Sequence, residues 1–246
     1  MIISESRQQV FCHIPKNGGS SLRHYFRATW SDHRQYQGRQ PVAALDGAVR
    51  DLTHITTREA RILFDDDLVG AGHRILAVIR APMPRVASAV AQYVRTFRAE
   101  DRNFADAGTA AGVLAQTSIR ALCERADSDH RCIFLRRQVD FLEDVPDAAQ
   151  DLVLLEDLSA RFPDLPHENR GGRLPGWLKP LSTPAVRRLT GMFGRRLKAQ
   201  LQSALTRPDQ DMRETIETAL ASERGFLEDF YGPDQALYDR LSAQRS

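Results

Sequence analysis

Short continuous apolar runs alternate along this chain with longer segments whose apolar residues recur at helical spacing. Strands buried in a sheet are predicted over 8–14, 75–79 and 151–155, and the run at 75–79 is apolar throughout. Residues 19–29 and the segment that begins at Pro82 carry apolar side chains every three or four positions, which predicts helices. Because strands alternate with helices, the pattern predicts an α/β fold with a central parallel sheet flanked by helices.

The segments between these elements complete the outline. A short strand is predicted over 50–55 with His54 at its end, and Thr56 with Glu59 forms the capping-box pattern of a helix through about Phe64. Glycine, proline and charged residues predict loops over 30–48, 100–110 and 163–184. Further helices are predicted over 110–126 and 131–143 and, in a helix-rich C-terminal part, over 185–206, 211–230 and 234–243.

Length and composition narrow the class of protein. The 246 residues suit a single domain, taken as 1–246, and a hydrophobic content of 42% is that of an ordinary globular core. A net charge of +2 argues against a general polyanion-binding surface, so no nucleic acid is expected as a partner. Three irregularly spaced cysteines indicate neither a disulfide framework nor a metal site. With no signal peptide and no apolar run of about 20 residues, a cytoplasmic protein without a membrane span is expected.

The first strand runs into a loop whose composition suits an anion. The apolar run stops at a proline, and a helical pattern starts directly after a lysine, two glycines and two serines. Glycines let backbone N–H groups approach an anion closely, and the start of a helix adds unpaired donors and the positive end of a dipole. Only three of the 34 basic residues are lysines, so a lysine here suits a specific contact with one oxygen. The predicted phosphate- or sulfate-binding loop comprises Pro15, Lys16, Asn17, Gly18, Gly19, Ser20 and Ser21.

A second set of candidate anion ligands follows the strand at 75–79. Arg80 lies directly beyond the carboxyl end of that strand, where ligands bind in open α/β sheets. Arg85 and Ser88 are three residues apart, so they share a face of the helix that follows. Two anion sites beyond successive strands suit a nucleotide that carries phosphates at two separate positions.

These two segments resemble the nucleotide-binding motifs of sulfotransferases, in particular the carbohydrate sulfotransferases of the heparan sulfate 2-O type. Ile14–Ser21 is similar to their 5′-phosphosulfate-binding loop. Val78–Pro82, with Arg85 and Ser88, is similar to their 3′-phosphate-binding motif, although Ala81 replaces the usual aspartate. Weaker matches follow in the expected order at Gln138–Leu142, Glu156–Leu158, Pro166–Asn169 and Phe230–Tyr238.

The resemblance implies a single P-loop-NTPase-like α/β domain, the donor 3′-phosphoadenosine-5′-phosphosulfate, the product adenosine 3′,5′-bisphosphate and no metal. It also implies transfer of a sulfuryl group to a hydroxyl or amine. In that family's arrangement Lys16 would stabilise the leaving group, and Arg80 and Ser88 would hold the 3′-phosphate. Arg170, in the proline-rich loop, is a candidate ligand for the adenine, together with its two neighbours.

The acceptor hydroxyl of such a reaction needs a general base, and histidine is the usual one near neutral pH. His54 is the candidate, because it lies between the two motifs, at the point where the resembling enzymes place a catalytic histidine. Glu59 is the alternative, since some relatives use a glutamate. His13, on the first strand, is expected to pack inside the fold.

Two other functions stay open. A P-loop nucleotide kinase or NTPase would place its lysine after the glycines, whereas Lys16 precedes them; Leu152–Asp157 resembles the magnesium-binding strand of that class only superficially. A non-catalytic nucleotide-binding protein could use the same scaffold. For a sulfotransferase, glycans, lipid-linked sugars and small metabolites are all candidate acceptors.

Overall fold

A mixed five-stranded sheet forms the centre of the computed structural model, which describes residues 1–43, 47, 49–100, 110–165 and 211–245. The strands of the described residues are β1 (Ile2–Ser4), β2 (Gln9–Phe11), β3 (Arg34–Gln35), β4 (Arg39–Pro41), β5 (Val49–Asp51), β6 (Arg74–Ile79) and β7 (Gln150–Leu154). The order in the central sheet is β3-β1-β2-β6-β7, while β4 and β5 form a separate two-stranded sheet. The predicted α/β class is confirmed.

The central sheet is mixed and not wholly parallel as predicted. β6 pairs in parallel with β2 on one side and with β7 on the other, as the apolar runs indicate. β1 instead pairs antiparallel with both β2 and β3. For β1 and β2 the physical reason is the short link between them, which cannot hold the crossover that parallel strands need. The chain turns back there, with Gln8 in the left-handed region at φ 46°.

The short strand predicted over 50–55 forms in part. It is β5, which pairs with β4 outside the central sheet. The strand ends at Asp51, and His54 lies in the 3₁₀ turn Leu52–His54 that follows. The Asp51 carboxylate accepts a hydrogen bond from the Thr53 N–H at 3.0 Å, so the turn is capped by the last residue of the strand.

The helices follow the predicted periodicity over much of the chain. α1 coincides with the prediction, α3 starts at the predicted proline, and both bonds of the predicted capping box are present at the start of α2. Within the described ranges, no helix is both long and apolar enough to cross a membrane. The helices are α1 (Gly19–Thr29), α2 (Thr57–Phe64), α3 (Pro82–Glu100), α4 (Ala110–Gln116), α5 (Ile119–Glu124), α6 (Leu158–Arg161), α7 (211–222), α8 (Arg224–Phe230) and α9 (Gly232–Ala243).

The helix predicted over 131–143 does not form. The chain makes two short 3₁₀ turns there, Ile133–Leu135 and Val139–Leu142. Side chains from distant elements take the backbone groups that a helix would use. Arg85 donates to two carbonyls of this segment, and Asp234 accepts from two of its N–H groups. These external bonds therefore override the apolar periodicity.

Two further predictions on helices and loops have mixed outcomes. The helix predicted over 110–126 is divided into α4 and α5, because the Ser118 side chain accepts from the Ala121 N–H and begins a new helix. The loops predicted at 100–110 and 163–184 lie largely outside the described residues. The helix predicted over 185–206 lies entirely outside them.

Both faces of the parallel strands are covered by apolar side chains. Along β6, Ile75, Ala77 and Ile79 belong to one buried cluster, while Leu76 and Val78 belong to another. The second cluster also contains the buried face of α1. Since β2 and β6 are parallel, their carboxyl ends meet at the same edge of the sheet, and both predicted anion motifs begin at that edge.

Candidate functional site

The loop after β2 turns sharply before α1 begins. Lys16 has φ 68° and Gly18 has φ 77°, both in the left-handed region, and Gly18 is the N-cap residue of α1. Such a φ is uncommon for a residue with a side chain, so the surrounding contacts must hold Lys16 in place. A Cβ added at Gly19 would lie 1.9 Å from the His13 ring. Glycine is therefore required at both positions, for conformation at Gly18 and for space at Gly19.

A cavity of about 520 Å³ opens beyond the carboxyl ends of β2 and β6. The predicted site residues that line it are Lys16, Gly18, Gly19, Ser20, His54, Arg80 and Ser88. The other lining residues among those described are His13, Arg23, Gln92, Phe134 and Leu155. This described lining contains three cationic side chains and no carboxylate, which is a composition that suits an anionic ligand.

The other predicted loop residues, Pro15, Asn17 and Ser21, are buried behind the lining of this cavity. Asn17 Nδ2 donates to the Val78 carbonyl at 2.5 Å and to Gln138 Oε1 at 2.7 Å. These bonds anchor the loop to the end of β6. The candidate adenine ligand Arg170 lies outside the described residues.

Arg80 connects the two motifs. Its Nη1 donates to the Lys16 carbonyl at 3.1 Å, which uses one of the five N–H donors of the guanidinium. Its backbone N–H donates to Gln138 Oε1 and its carbonyl accepts from Gln138 Nε2, both at 2.9 Å. Burial lowers the pKa of Arg80, and the nearby Glu156 opposes that shift. The side chain remains cationic near neutral pH and is fixed beside the loop.

The Lys16 ammonium reaches toward α3. Its Nζ lies 3.5 Å from Gln92 Oε1, and Ser88 lies one helical turn before Gln92 on the same face. Burial lowers the pKa of Lys16, and the positive charges of Arg95 and Arg80 lower it further. Cations that disfavour one another in this way would be stabilised by an anion placed among them.

Arg85 does not belong to this cavity, so the expectation that it joins the second anion site is wrong. Its side chain is fully buried, its Nη2 lies 3.4 Å from Asp234 Oδ2, and its guanidinium lies 5.3 Å from the centre of the Tyr231 ring. Residues three apart on a helix differ by about 60° around its axis. That difference is enough for Ser88 to face the cavity while Arg85 faces the core.

His54 is buried, and its orientation is set by one hydrogen bond. Its Nδ1 lies 2.9 Å from the backbone carbonyl of His13. A carbonyl can only accept, so Nδ1 carries the proton and Nε2 keeps its lone pair. Burial lowers the pKa of His54 to about 4, so the ring is neutral near pH 7. This tautomer and charge state are the ones that a proton acceptor requires.

His13 is buried as expected, and it also lines the cavity. Its ring stacks on Phe11 with a centroid distance of 5.7 Å, and its centroid is 4.4 Å from that of His54. Burial lowers the pKa of His13 well below its ordinary value, and the neighbouring His54 adds to the shift. Two neutral histidines therefore lie side by side at the site.

Glu59, the alternative base, is occupied by structural partners. Its carboxylate accepts from the Thr56 N–H at 2.8 Å and from Arg136 Nη1 at 3.2 Å. It lines a small separate pocket on another side of His54 and is not among the described residues that line the 520 Å³ cavity. These contacts favour His54 over Glu59 as the proton acceptor.

The sequence pattern does not single out Arg23 or Gln92, and it marks Gln138 only as the first residue of a weaker match to sulfotransferases. Arg23 lies four residues after Gly19, and Gln92 lies four residues after Ser88. Helical spacing from a predicted ligand is a signal that could have found both. The contacts of Gln138 with the two motifs have no local signal, because only the tertiary fold brings it to them.

The described part of the chain contains no set of three or more His, Cys, Asp or Glu side chains arranged to hold a metal ion. Its three cysteines are buried and free of disulfides. Comparison of the chain with protein-family models, with curated proteins and with solved structures finds no match.

Proposed function

We propose that the chain is a sulfotransferase that moves the sulfuryl group of 3′-phosphoadenosine-5′-phosphosulfate to a hydroxyl or amine of a carbohydrate or another small molecule. One observation carries the proposal: residues of both motifs and a neutral histidine line the same cavity. Its volume of about 520 Å³ suits a ligand of nucleotide size. The resemblance of Ile14–Ser21 and of Val78–Pro82 to sulfotransferase motifs supports the choice of this donor.

The two ends of the donor require different contacts, and the cavity offers both. Unpaired N–H groups at the start of α1, together with Lys16, suit the 5′-phosphosulfate. The Arg80 guanidinium and the Ser88 hydroxyl suit the 3′-phosphate. Arg23, whose pKa is lowered by burial and then by Arg27, adds a third positive charge to the cavity.

In the proposed reaction the acceptor oxygen attacks the sulfur in line with the bond that breaks. That bond joins sulfur to the bridging oxygen of the 5′-phosphate, and its electron pair leaves with adenosine 3′,5′-bisphosphate. Lys16 stabilises the negative charge that develops on the bridging oxygen. The proton of the acceptor hydroxyl passes to Nε2 of His54, whose Nδ1–H is held by the His13 carbonyl.

Binding of the product tests the first half of the proposal. Adenosine 3′,5′-bisphosphate at a hundredfold excess over its Kd should raise the melting temperature of the chain by about 5–10 °C. Adenosine, which has neither phosphate, is the matched control and should give no comparable shift. The absence of stabilisation by millimolar adenosine 3′,5′-bisphosphate would count heavily against a sulfotransferase.

Transfer of the sulfuryl group to an acceptor tests the second half of the proposal. The chain is incubated with donor labelled with ³⁵S and an extract from its own source, and labelled products are separated and identified. Label should move to an acceptor in the presence of the unaltered chain and not in the presence of Lys16→Ala. Donor binding without transfer to any acceptor would instead favour a non-catalytic binding protein, and magnesium-dependent ATP turnover would favour a nucleotide kinase or NTPase.

A further inference from the structure

The His13 ring has one nitrogen that is sealed in the protein without a partner. The side chain is buried, with only 5% of its surface exposed, and Nδ1 has no hydrogen bond. The opposite edge of the ring, formed by Cδ2 and Nε2, lies against Gly19 and belongs to the wall of the 520 Å³ cavity. The two nitrogens of His13 thus have different surroundings, one inside the protein and one at the site.

The edge that carries Nε2 lies at the N-terminus of α1. A Cβ added at Gly19 would be 2.0 Å from Nε2, so the imidazole occupies the space that a side chain at the first residue of the helix would fill. The N–H groups of this first turn have no partner within the helix. His13 Nε2 therefore adds a side-chain nitrogen to a group of backbone donors at one point of the cavity, close to Lys16.

The burial of Nδ1 also selects the tautomer of His13. The ring is neutral near pH 7, so it carries one proton. A proton on Nδ1 would leave a buried N–H without an acceptor, which is rarer and less tolerated than an unpaired lone pair. The proton therefore lies on Nε2, at the cavity. His54 has the opposite tautomer, because its Nδ1–H is bound to the His13 carbonyl.

We propose that His13 is a binding residue of this site, and that its uncharged Nε2–H donates a hydrogen bond to an oxygen of the anionic group held at the N-terminus of α1. This inference rests on the proposed function, in which that group is the 5′-phosphosulfate of the donor or the 5′-phosphate of the product. An uncharged donor orients an oxygen without adding to the repulsion among the cations Lys16, Arg23 and Arg80.

The test is a cycle of two ligands and three forms of the full chain, measured by titration calorimetry. Adenosine 3′,5′-bisphosphate has the 5′-phosphate, and adenosine 3′-monophosphate lacks it. His13→Phe keeps a ring to stack on Phe11 but has no donor, and His13→Gln offers an amide N–H with a reach similar to that of Nε2. We expect His13→Phe to bind the bisphosphate about tenfold more weakly and the monophosphate equally well. His13→Gln should recover most of the lost affinity.

The outcomes separate the inference from the proposed function. If the unaltered chain does not bind the bisphosphate, the proposed function fails and this inference fails with it. If the unaltered chain binds and His13→Phe binds as tightly, or loses the same factor for both ligands, only the inference is overturned. ¹⁵N spectra of the histidines in the unaltered chain give a test that does not depend on how His13→Phe folds. A proton on Nδ1 of His13, or an Nε2–H signal that the bisphosphate does not move, would also overturn it.

Discussion

The side-chain amides of Asn17 and Gln138 meet at 2.7 Å, although the two residues are 121 positions apart in the chain. Asn17 also donates to the Val78 carbonyl at the end of β6, and Gln138 Oε1 also accepts from the Arg80 N–H. The buried carboxamide of Gln138 therefore sets the position of the loop after β2 relative to the segment after β6. The spacing of the two anion motifs depends on this contact and not only on the sheet.

Replacement of Gln138 by alanine should damage both stability and binding. The change leaves the Arg80 N–H and the Arg80 carbonyl without this partner and leaves Asn17 only its bond to the Val78 carbonyl, which should cost about 2–4 kcal/mol of unfolding free energy. The affinity for adenosine 3′,5′-bisphosphate should fall as well, because Arg80 and the loop that carries Lys16 are no longer held by the same side chain. Urea denaturation and titration calorimetry measure the two effects. Gln116→Ala, at an exposed position on α4, is the matched control and should change neither.

Lys16→Ala should separate turnover from binding. Removal of a donor to the developing charge on the leaving oxygen should lower kcat by about 10²- to 10³-fold. The fold should persist, since the hydrogen bond that the structure gives Nζ is a long one, 3.5 Å to Gln92 Oε1. The rate of transfer from labelled donor and the denaturation midpoint check the two statements. Lys16→Arg keeps the charge but replaces a compact ammonium by a planar fork, so it should recover activity only in part. An unchanged kcat in Lys16→Ala would remove the role proposed for this residue.

The parts of the fold that could be predicted are those that neighbouring residues determine. The bounds of α1, the capping box at Thr56 and the start of α3 each depend on residues within a turn or two of helix. The segment 131–143 has the apolar spacing of a helix but is held by Arg85 and by Asp234, which lies in α9. Contacts over such distances leave no periodicity in the sequence.

The same limit applies to the candidate site. Glycines, a lysine and strand ends predict where an anion would bind, and Lys16, Gly18, Gly19, Arg80 and Ser88 do line one cavity. Ser88 lines the cavity and Arg85 is buried, although the two differ by only about 60° around the axis of α3. Their spacing in the sequence could not predict this difference. The pairing of two histidines likewise depends on how the turn after β5 packs against the end of β2.

His54→Asn should abolish most of the transfer activity while the chain stays folded. An asparagine amide can still donate to the His13 carbonyl, but it cannot accept the proton of the acceptor, so a loss of about 10²- to 10⁴-fold is expected. Glu59→Gln is the comparison, because it replaces the alternative base and retains an oxygen for the Thr56 N–H. Transfer rates measured at equal folded fractions distinguish the two. Near-normal activity in His54→Asn, or a comparable loss in Glu59→Gln, would move the base elsewhere.

The two buried histidines should make the stability of the chain depend on pH. Burial lowers the pKa of His54 to about 4 and lowers the pKa of His13 as well, whereas both groups have ordinary values of 6.5 in the unfolded chain. As the pH falls below 6.5, the unfolded state takes up protons before the folded state does. The contribution of these histidines to the free energy of unfolding is therefore complete above pH 6.5 and decreases toward pH 4. Urea denaturation between pH 4.5 and 7.5 should show this slope, and His54→Asn should make it shallower. An identical slope in the two proteins would contradict the assignment of a lowered pKa to His54.

Arg85→Ala should destabilise the chain more than the loss of any surface arginine. Asp234 would keep two backbone N–H partners but lose its buried counter-charge, and two carbonyls of the segment 131–143 would lose their donors. Removal of one partner of a buried ion pair typically costs about 3–5 kcal/mol. Arg224→Ala is the matched control, because Arg224 pairs with Glu228 on an exposed face of α8 and its loss should hardly move the denaturation midpoint. If Arg85→Ala instead kept its stability and lost affinity for adenosine 3′,5′-bisphosphate, Arg85 would be a ligand of the 3′-phosphate after all.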